Sequence, residues 1–167
     1  GLDTRDQAKT FIYAFLYGAG DAKIGSIVGG TAKDGKRLKE KFLANTPALG
    51  DLRERVGLAA GRGYVLGLDR RRVAIRSSHA ALNSLLQSAG AIIMKKALCL
   101  LHEYATLWGI DFHIIGNIHD EIQTEVREEK AEVFGRLATS CVEAAGTYYK
   151  LNCPLAGDYK VGNTWAD

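Results

Sequence analysis

The 167-residue chain is 47% hydrophobic and 25% charged, holds two Pro, and shows no repeat or low-complexity run, which excludes a collagenous or largely disordered protein. A chain of this length buries roughly 70% of the surface it exposes when unfolded, so one ordinary domain or a portion of a larger protein is expected. The net charge of +3, from 22 Lys and Arg against 19 Asp and Glu, permits a polyanionic partner only where the positive charge is clustered.

The uncharged apolar stretch from Ala80 to Met94 is shorter than a bilayer span and carries Asn83 and Gln87, so no membrane helix and no membrane partner are expected. The opening GLDTRDQAK has no basic region followed by an apolar one and is not a secretory signal. The three cysteines, Cys99, Cys141 and Cys153, can form no closed disulfide set and have no zinc-ligand spacing. Cys99 and Cys141 fall in helical patterns and are expected as buried free thiols, which suits a reducing cytoplasm. The chain opens at Gly1 without Met and enters a dense helical motif at once; a processed terminus or the tail of something longer is expected.

In chain order, Asp3 or Thr4 can cap a helix that starts near Arg5 and ends at Gly18 and Gly20. A second helix is predicted over Asp21 to Val28, a strongly basic amphipathic one over Lys33 to Leu43, and a short one from Leu49 to about Ala60. Tyr64-Val65-Leu66 and Val73-Ala74-Ile75 flank Gly67 to Arg70 as a hairpin. A long helix is expected from His79 to Trp108, then strand, tight turn and strand from Phe112 to Val126. A closing helix runs from Glu128 to Lys150, and the tail is irregular or a short final strand. Mainly helical with two small antiparallel hairpins, the fold class is α+β.

Three patterns carry chemistry. Arg5, Lys9, Tyr13 and Tyr17 recur every four residues and form a slowly rotating stripe on one side of the first helix. Two cations followed by two rings suit a nucleoside triphosphate, the cations meeting phosphate and the rings stacking under base and sugar. One phosphate–cation contact contributes about 1 kcal/mol in water and about 4 in a site of effective dielectric near 20. Read as an isolated helix, the same residues are far more simply an aromatic core pair beside Phe11, Phe15 and Leu16 with two solvated cations.

The second pattern is His119-Asp120-Glu121, bracketed by Ile118 and Ile122 without Gly or Pro. It reads either as a polar hairpin turn or as adjacent carboxylates suited to Mg2+, which takes few carboxylates plus substrate phosphates. In the third, His79, Asn83 and Gln87 are spaced by four behind Arg76, a stripe able to read minor-groove edges or simply to face solvent.

Gly30-Thr-Ala-Lys-Asp-Gly35-Lys36 matches GxxxxGK, but Arg37 stands where Ser or Thr would hold a metal and no strand precedes it, so a phosphate loop is rejected. The run Lys33, Lys36, Arg37, Lys39, Lys41 is read as a solvated face or at most a surface for backbone phosphates. The His, Cys and Ser residues offer no nucleophile–base pair.

In this order the three patterns resemble DNA polymerase family A, and most closely the replicative polymerases of short-tailed phages. Arg5 to Gly20 resembles that family's fingers-helix motif, Ser77 to Ala91 its Asn…Gln palm helix, Ile118 to Gln123 its third palm motif, and the NTW near the end its terminal segment. The resemblance covers essentially the whole chain and implies part of a right-hand fold: fingers helices over 1–60 and the C-terminal part of the palm over 61–167. It implies that Arg5 and Lys9 hold the incoming dNTP, with Lys9 also the acid for the pyrophosphate leaving group, that Tyr13 packs against the sugar, and that Tyr17 sits near the templating base. Asp120 would ligate the catalytic Mg2+ ions, two in a complete site, with Glu121 in support. His119 would contact the primer end, and Arg76, Asn83 and Gln87 the minor groove of the primer–template. The activity implied is template-directed nucleotidyl transfer to a primer 3′-hydroxyl.

The family's first palm motif, with the other metal-binding Asp, lies upstream of the fingers helix, and here only four residues precede Arg5. Asp111 and Asp69 occupy unlike settings; the thumb, any exonuclease and an upstream His are missing too. The chain is therefore expected to be the fingers-and-palm portion of a truncated or split polymerase. It would be inactive alone and completed by an N-terminal partner fragment; otherwise it is a catalytically incomplete nucleotide- or DNA-binding module. A metal-dependent nuclease on Asp120 and Glu121 is weaker, since the stacking helix would have no purpose. The connection from Arg53 to Val73 is short, closer to the compact hairpin of the cellular branch. Palm strands with an absent neighbour are expected to leave an exposed sheet edge.

Overall fold

The computed structural model describes residues 2–165. Six α-helices and four strands follow in the order α1 (Arg5–Leu16), α2 (Asp21–Ile27), α3 (Ala32–Asn45), α4 (Pro47–Ala60), β1 (Tyr64–Leu66), β2 (Arg72–Ala74), α5 (Ala81–Leu107), β3 (Phe112–Ile118), β4 (Glu121–Val126) and α6 (Glu128–Tyr148). A 3-10 turn, Ser78–Ala80, leads into α5. The α+β class expected from the sequence is the one found, with each pair of strands forming its own antiparallel two-stranded sheet. The chain divides into two compact units, one ending at Ser88 and one beginning at Ala89, so α5 contributes its first turns to one and the rest to the other.

In the first unit, Thr4 rather than Asp3 caps α1, its hydroxyl accepting from the Gln7 N–H at 3.1 Å. The helix closes in a Schellman arrangement, Gly18 N–H to the Phe15 carbonyl and Ala19 N–H to the Ala14 carbonyl, with Gly18 at φ 78°. Phe11, Phe15 and Ile24 form one apolar cluster, joined by Phe42 of α3. The Phe42 ring meets Phe11 and Phe15 edge-on at 5.2 and 5.1 Å. Two α3 boundaries differ from the sequence reading: Thr31 and Asp34 form a capping box that starts the helix earlier, and it runs on through Asn45. Gly35, which gave this stretch its phosphate-loop appearance, is instead buried where α3 crosses α2, and a Cβ there would press on the Asp21 backbone.

A second cluster, Val56, Val65, Ala81 and Leu82, ties α4, the β1–β2 hairpin and the start of α5 together. The hairpin therefore packs with the helix before it and the start of the helix after it. His79 lies in the 3-10 turn and not in α5 itself, a correction to the long helix predicted from that residue.

The second unit is built on Leu101 and Ala105 of α5, Ile110, and Phe134, Leu137 and Cys141 of α6, against which Phe112, Ile122 and Val126 pack from the β3–β4 hairpin. Cys141 is buried as expected, and burial raises its thiol pKa. Cys99 and Cys153 are exposed, so the expectation for Cys99 is overturned: it falls on the outer side of α5. The tail carries no strand among the described residues and lies along α6, where the Tyr159 hydroxyl donates to Glu132 at 2.7 Å. Ala166 and Asp167 of the expected terminal segment lie outside the described residues.

The apolar stretch is longer than the one read from the sequence, which stopped at Met94. An 18-residue stretch within Ser78–Leu107 has a mean hydropathy of 1.4, so this helix is long and apolar enough to cross a membrane, because the pattern continues past Lys95 and Lys96. It also supplies Ala81 and Leu82 to one core cluster and Leu101 and Ala105 to another.

Candidate functional site

Helix α1 separates its residues cleanly. Phe11 and Phe15 are 1% and 4% exposed, whereas Tyr13 and Tyr17, two residues on from each, are 54% and 59% exposed. Arg5 and Lys9 are exposed as well, and neither has an ion-pair partner among the described residues. The aromatic-core reading of the tyrosines thus falls to the two phenylalanines. What remains is one outward strip that presents two uncompensated cations and then two rings. Such a strip attracts an anion with a planar group attached.

The strip ends against the polar stripe predicted for α5. The Gln87 amide lies 3.5 Å from the Tyr17 hydroxyl, at the long limit of a hydrogen bond. Gln87 is exposed and Asn83 half-buried, while Arg76 and His79 are exposed on the segment leading in. Beneath this junction is a cavity of about 170 Å3, lined in part by Phe15, Gly18, Arg53, Ser78 and His79. Arg53, which the sequence reading did not single out, holds its guanidinium 5.4 Å from the centre of the Phe15 ring. No spacing rule links positions 38 residues apart, so only the folded chain reveals it.

In the second unit, His119 and Asp120 form the two-residue connection of the β3–β4 hairpin, with Ile118 paired to Glu121 across it. His119 is in the left-handed region at φ 57°, the conformation a two-residue hairpin demands of its first residue and one that normally selects Gly or Asn. A bulge at Ile115 shifts the register, pairing Ile114 with Thr124 and Gly116 with Gln123. In β4 the period of two puts Glu121 and Gln123 opposite Ile122 and Val126, which pack in the core, and the β3 bulge turns Ile118 onto the Glu121 face, opposite that of Phe112. His119, Asp120 and Glu121 are all exposed. The Gln123 amide hydrogen-bonds the Glu121 carboxylate, a partner the sequence reading quoted without a role, although the period of two places both on one face.

Among the described residues no group of three or more His, Cys, Asp or Glu could hold a metal ion. Two adjacent carboxylates at an exposed turn do fit the donor chemistry of a hard cation whose other ligands come from water and phosphate. Both edges of the two-stranded β3–β4 sheet are open among the described residues, and Ile115 and Ile118 are 68% and 41% exposed, matching the exposed edge expected.

Comparison with known proteins decides the family. The model of DNA polymerase family A matches residues 2–167. The chain belongs to DNA polymerase family A. It is 42% identical to a DNA-directed DNA polymerase of Escherichia phage Phieco32 over 99% of this chain, and 44% identical to that of Escherichia phage T7 over the same share. The chain spans only 28% and 27% of those phage relatives. The polymerase domain of Pol1 from M. smegmatis, solved with a DNA primer-template and dNTP, superposes with a TM-score of 0.76 at 22% identity. That likeness covers 84% of this chain and 27% of the other, and it shows that this chain has part of the family fold.

Proposed function

We propose that this family A chain contributes to template-directed DNA synthesis, transferring a nucleotidyl group from a dNTP to a primer 3′-hydroxyl. The observation that supports this most is the outward strip Arg5, Lys9, Tyr13 and Tyr17 on a helix whose other side is core. Arg5 and Lys9 bind the triphosphate, and Lys9 gives a proton to the departing pyrophosphate. The Tyr13 ring packs against the sugar, and Tyr17 takes its place near the templating base beside Gln87. Arg76, Asn83 and Gln87 follow the minor groove of the primer–template, and His119, held at its turn, contacts the primer end.

Asp120 and Glu121 are the residues that would hold Mg2+, with Gln123 fixing the rotamer of Glu121. Bound there, the ions would activate the primer hydroxyl and offset charge on the phosphates. The helix strip and the hairpin correspond to fingers and palm, over 1–60 and 61–167. A cytoplasm, of a bacterium or a phage-infected host, suits the exposed thiols of Cys99 and Cys153.

A second reading has its own observation. With only two adjacent carboxylates and no larger ligand group among the described residues, the chain would be a nucleotide- and DNA-binding module until an N-terminal fragment adds another Asp. Primer extension separates the two. With Mg2+ and all four dNTPs, the chain mixed with an upstream palm-and-thumb fragment should extend a primer, and Asp120→Ala should abolish extension. Extension that survives Asp120→Ala would refute the assignment of the metal site, and its absence with every matched fragment would leave the binding module.

A further inference from the structure

The cavity beneath the junction of α1 and the start of α5 lies wholly within the first unit. Its inner wall is apolar, built from the buried side chains of Phe15, Val56 and Leu82. Its rim is polar, with Arg53, Ser78 and His79 all exposed there. No carboxylate lines it, and none of Arg5, Lys9, Tyr13 and Tyr17 belongs to it. Gly18 and Gly57 complete the wall and add no side chain to fill the space.

Arg53 gives this space its chemistry. Its guanidinium has no carboxylate within ion-pair distance among the described residues. Its charge reaches the Asp21 carboxyl only as the smallest of several influences, since Lys39 is the partner of that group. Contact with the Phe15 ring, 5.4 Å from the ring centre, holds the guanidinium against the cavity wall. A restrained cation above an apolar floor is complementary to a small molecule with an apolar body and one anionic end. Size narrows the class further. A volume of about 170 Å3 is close to the roughly 150 Å3 that accommodates one benzene ring. A nucleobase matches that volume but not that floor, because its edge donors and acceptors would meet Phe15, Val56 and Leu82 unpaired.

We propose that this cavity binds a small monocarboxylate with an aryl or branched-alkyl body. The carboxylate sits at Arg53, and the body lies against Phe15, Val56 and Leu82. The Ser78 hydroxyl and the His79 ring stand on the same rim and offer further hydrogen bonds. Leu16 and Gly18, the neighbours of Tyr17, also line the space, so an occupant touches the end of α1 from its buried side. The site goes beyond the polymerase reading and does not rest on it.

The test is binding of benzoate to the whole 167-residue chain, followed by backbone amide shifts in two-dimensional NMR spectra. Saturable shifts are expected at Gly18, Gly57 and Leu82, with a dissociation constant in the millimolar range that suits a ligand of so few atoms. Benzyl alcohol, which lacks the charge, and acetate, which lacks the ring, should each bind at least about fivefold more weakly. Arg53→Gln should weaken benzoate by about five- to tenfold, and Arg53→Lys should recover part of that loss. Leu82→Phe, which fills the space from its wall, should abolish the shifts. Circular dichroism melts check folding, and the variants of exposed Arg53 carry the test if Leu82→Phe does not fold. Absence of saturable shifts at these amides would overturn the proposal, as would benzoate affinity that is unchanged in Arg53→Gln. Thymidine monophosphate saturating the same amides where benzoate does not would overturn it too, by assigning the cavity to a nucleotide.

Discussion

Gly18 rests directly on the main chain of His79: a Cβ built on it would stand 2.6 Å from the His79 carbonyl oxygen. This contact locks the end of α1, and with it Tyr17, to the segment that enters α5. Gly18 also needs its φ of 78°, so both space and backbone exclude a side chain there.

Gly18→Ala should therefore cost about 1–3 kcal/mol of stability and loosen Tyr17 from Gln87. Urea unfolding measures the first effect. A several-fold rise in the Kd for dNTP measures the second. An alanine variant as stable as the parent would mean that the α1 terminus can move aside freely.

A second closure depends on charge. Lys39, with a side chain only 15% exposed, donates to the Ala19 carbonyl at 2.6 Å and reaches the Asp21 carboxylate at 2.9 Å. The hydrogen bond from Lys39, and then its charge, hold the Asp21 carboxyl below its ordinary pKa. A pKa lowered by folding stabilises above the unfolded value of about 3.9, and that stability is lost as pH falls through the folded value. Asp21→Asn should thus lower the melting temperature at pH 7, and the gap to the parent should close below about pH 4. A gap that is constant with pH would remove the charge from this account.

The α6 glycines make opposite predictions from those of α4. Gly135 is buried, and a Cβ there would fall inside the contact envelope of the Tyr159 ring. Gly57, in α4, has nothing within 4 Å of its built Cβ. Gly135→Ala should release the tail and destabilise by about 1–3 kcal/mol, as overpacking does. Gly57→Ala should stabilise by about 0.5–1 kcal/mol through helix propensity. Thermal melts of both variants provide the check.

What the sequence made legible was whatever repeats locally. The four-residue spacing of Arg5, Lys9, Tyr13 and Tyr17 announces a strip, and the apolar residues around His119 and Asp120 announce a hairpin turn. The direction of that strip was not legible, because Phe11, Phe15, Tyr13 and Tyr17 are all aromatic, and only packing against Ile24 and Phe42 decides which pair is inside. Nor was the bulge at Ile115, since a one-residue insertion in a strand leaves no local signature and yet reverses the face of Ile118 relative to Phe112. The outward position of Cys99 was missed for the same reason. A long helix with apolar residues on much of its circumference does not declare which side its core partners take.

At the hairpin turn, Asp120→Asn keeps the shape and removes the charge. It should lower incorporation by the complemented enzyme about a thousandfold, the scale of several kcal/mol of charge stabilisation, while DNA affinity stays unchanged. Gln123→Ala should cost far less, roughly tenfold or below, since it only frees the Glu121 rotamer. Single-turnover rates over a range of Mg2+ concentration distinguish the two, because loss of a ligand raises the Mg2+ requirement.

The most direct test of the central claim is the affinity of Mg2+–dNTP for this chain and for Arg5→Ala/Lys9→Ala, measured by calorimetry at low ionic strength. Losing two exposed phosphate contacts should remove at least about 2 kcal/mol, a loss of roughly thirtyfold or more, with folding intact because neither side chain enters the core. Equal affinity in the parent and the double variant would contradict the account and return α1 to a helix with a merely solvated face.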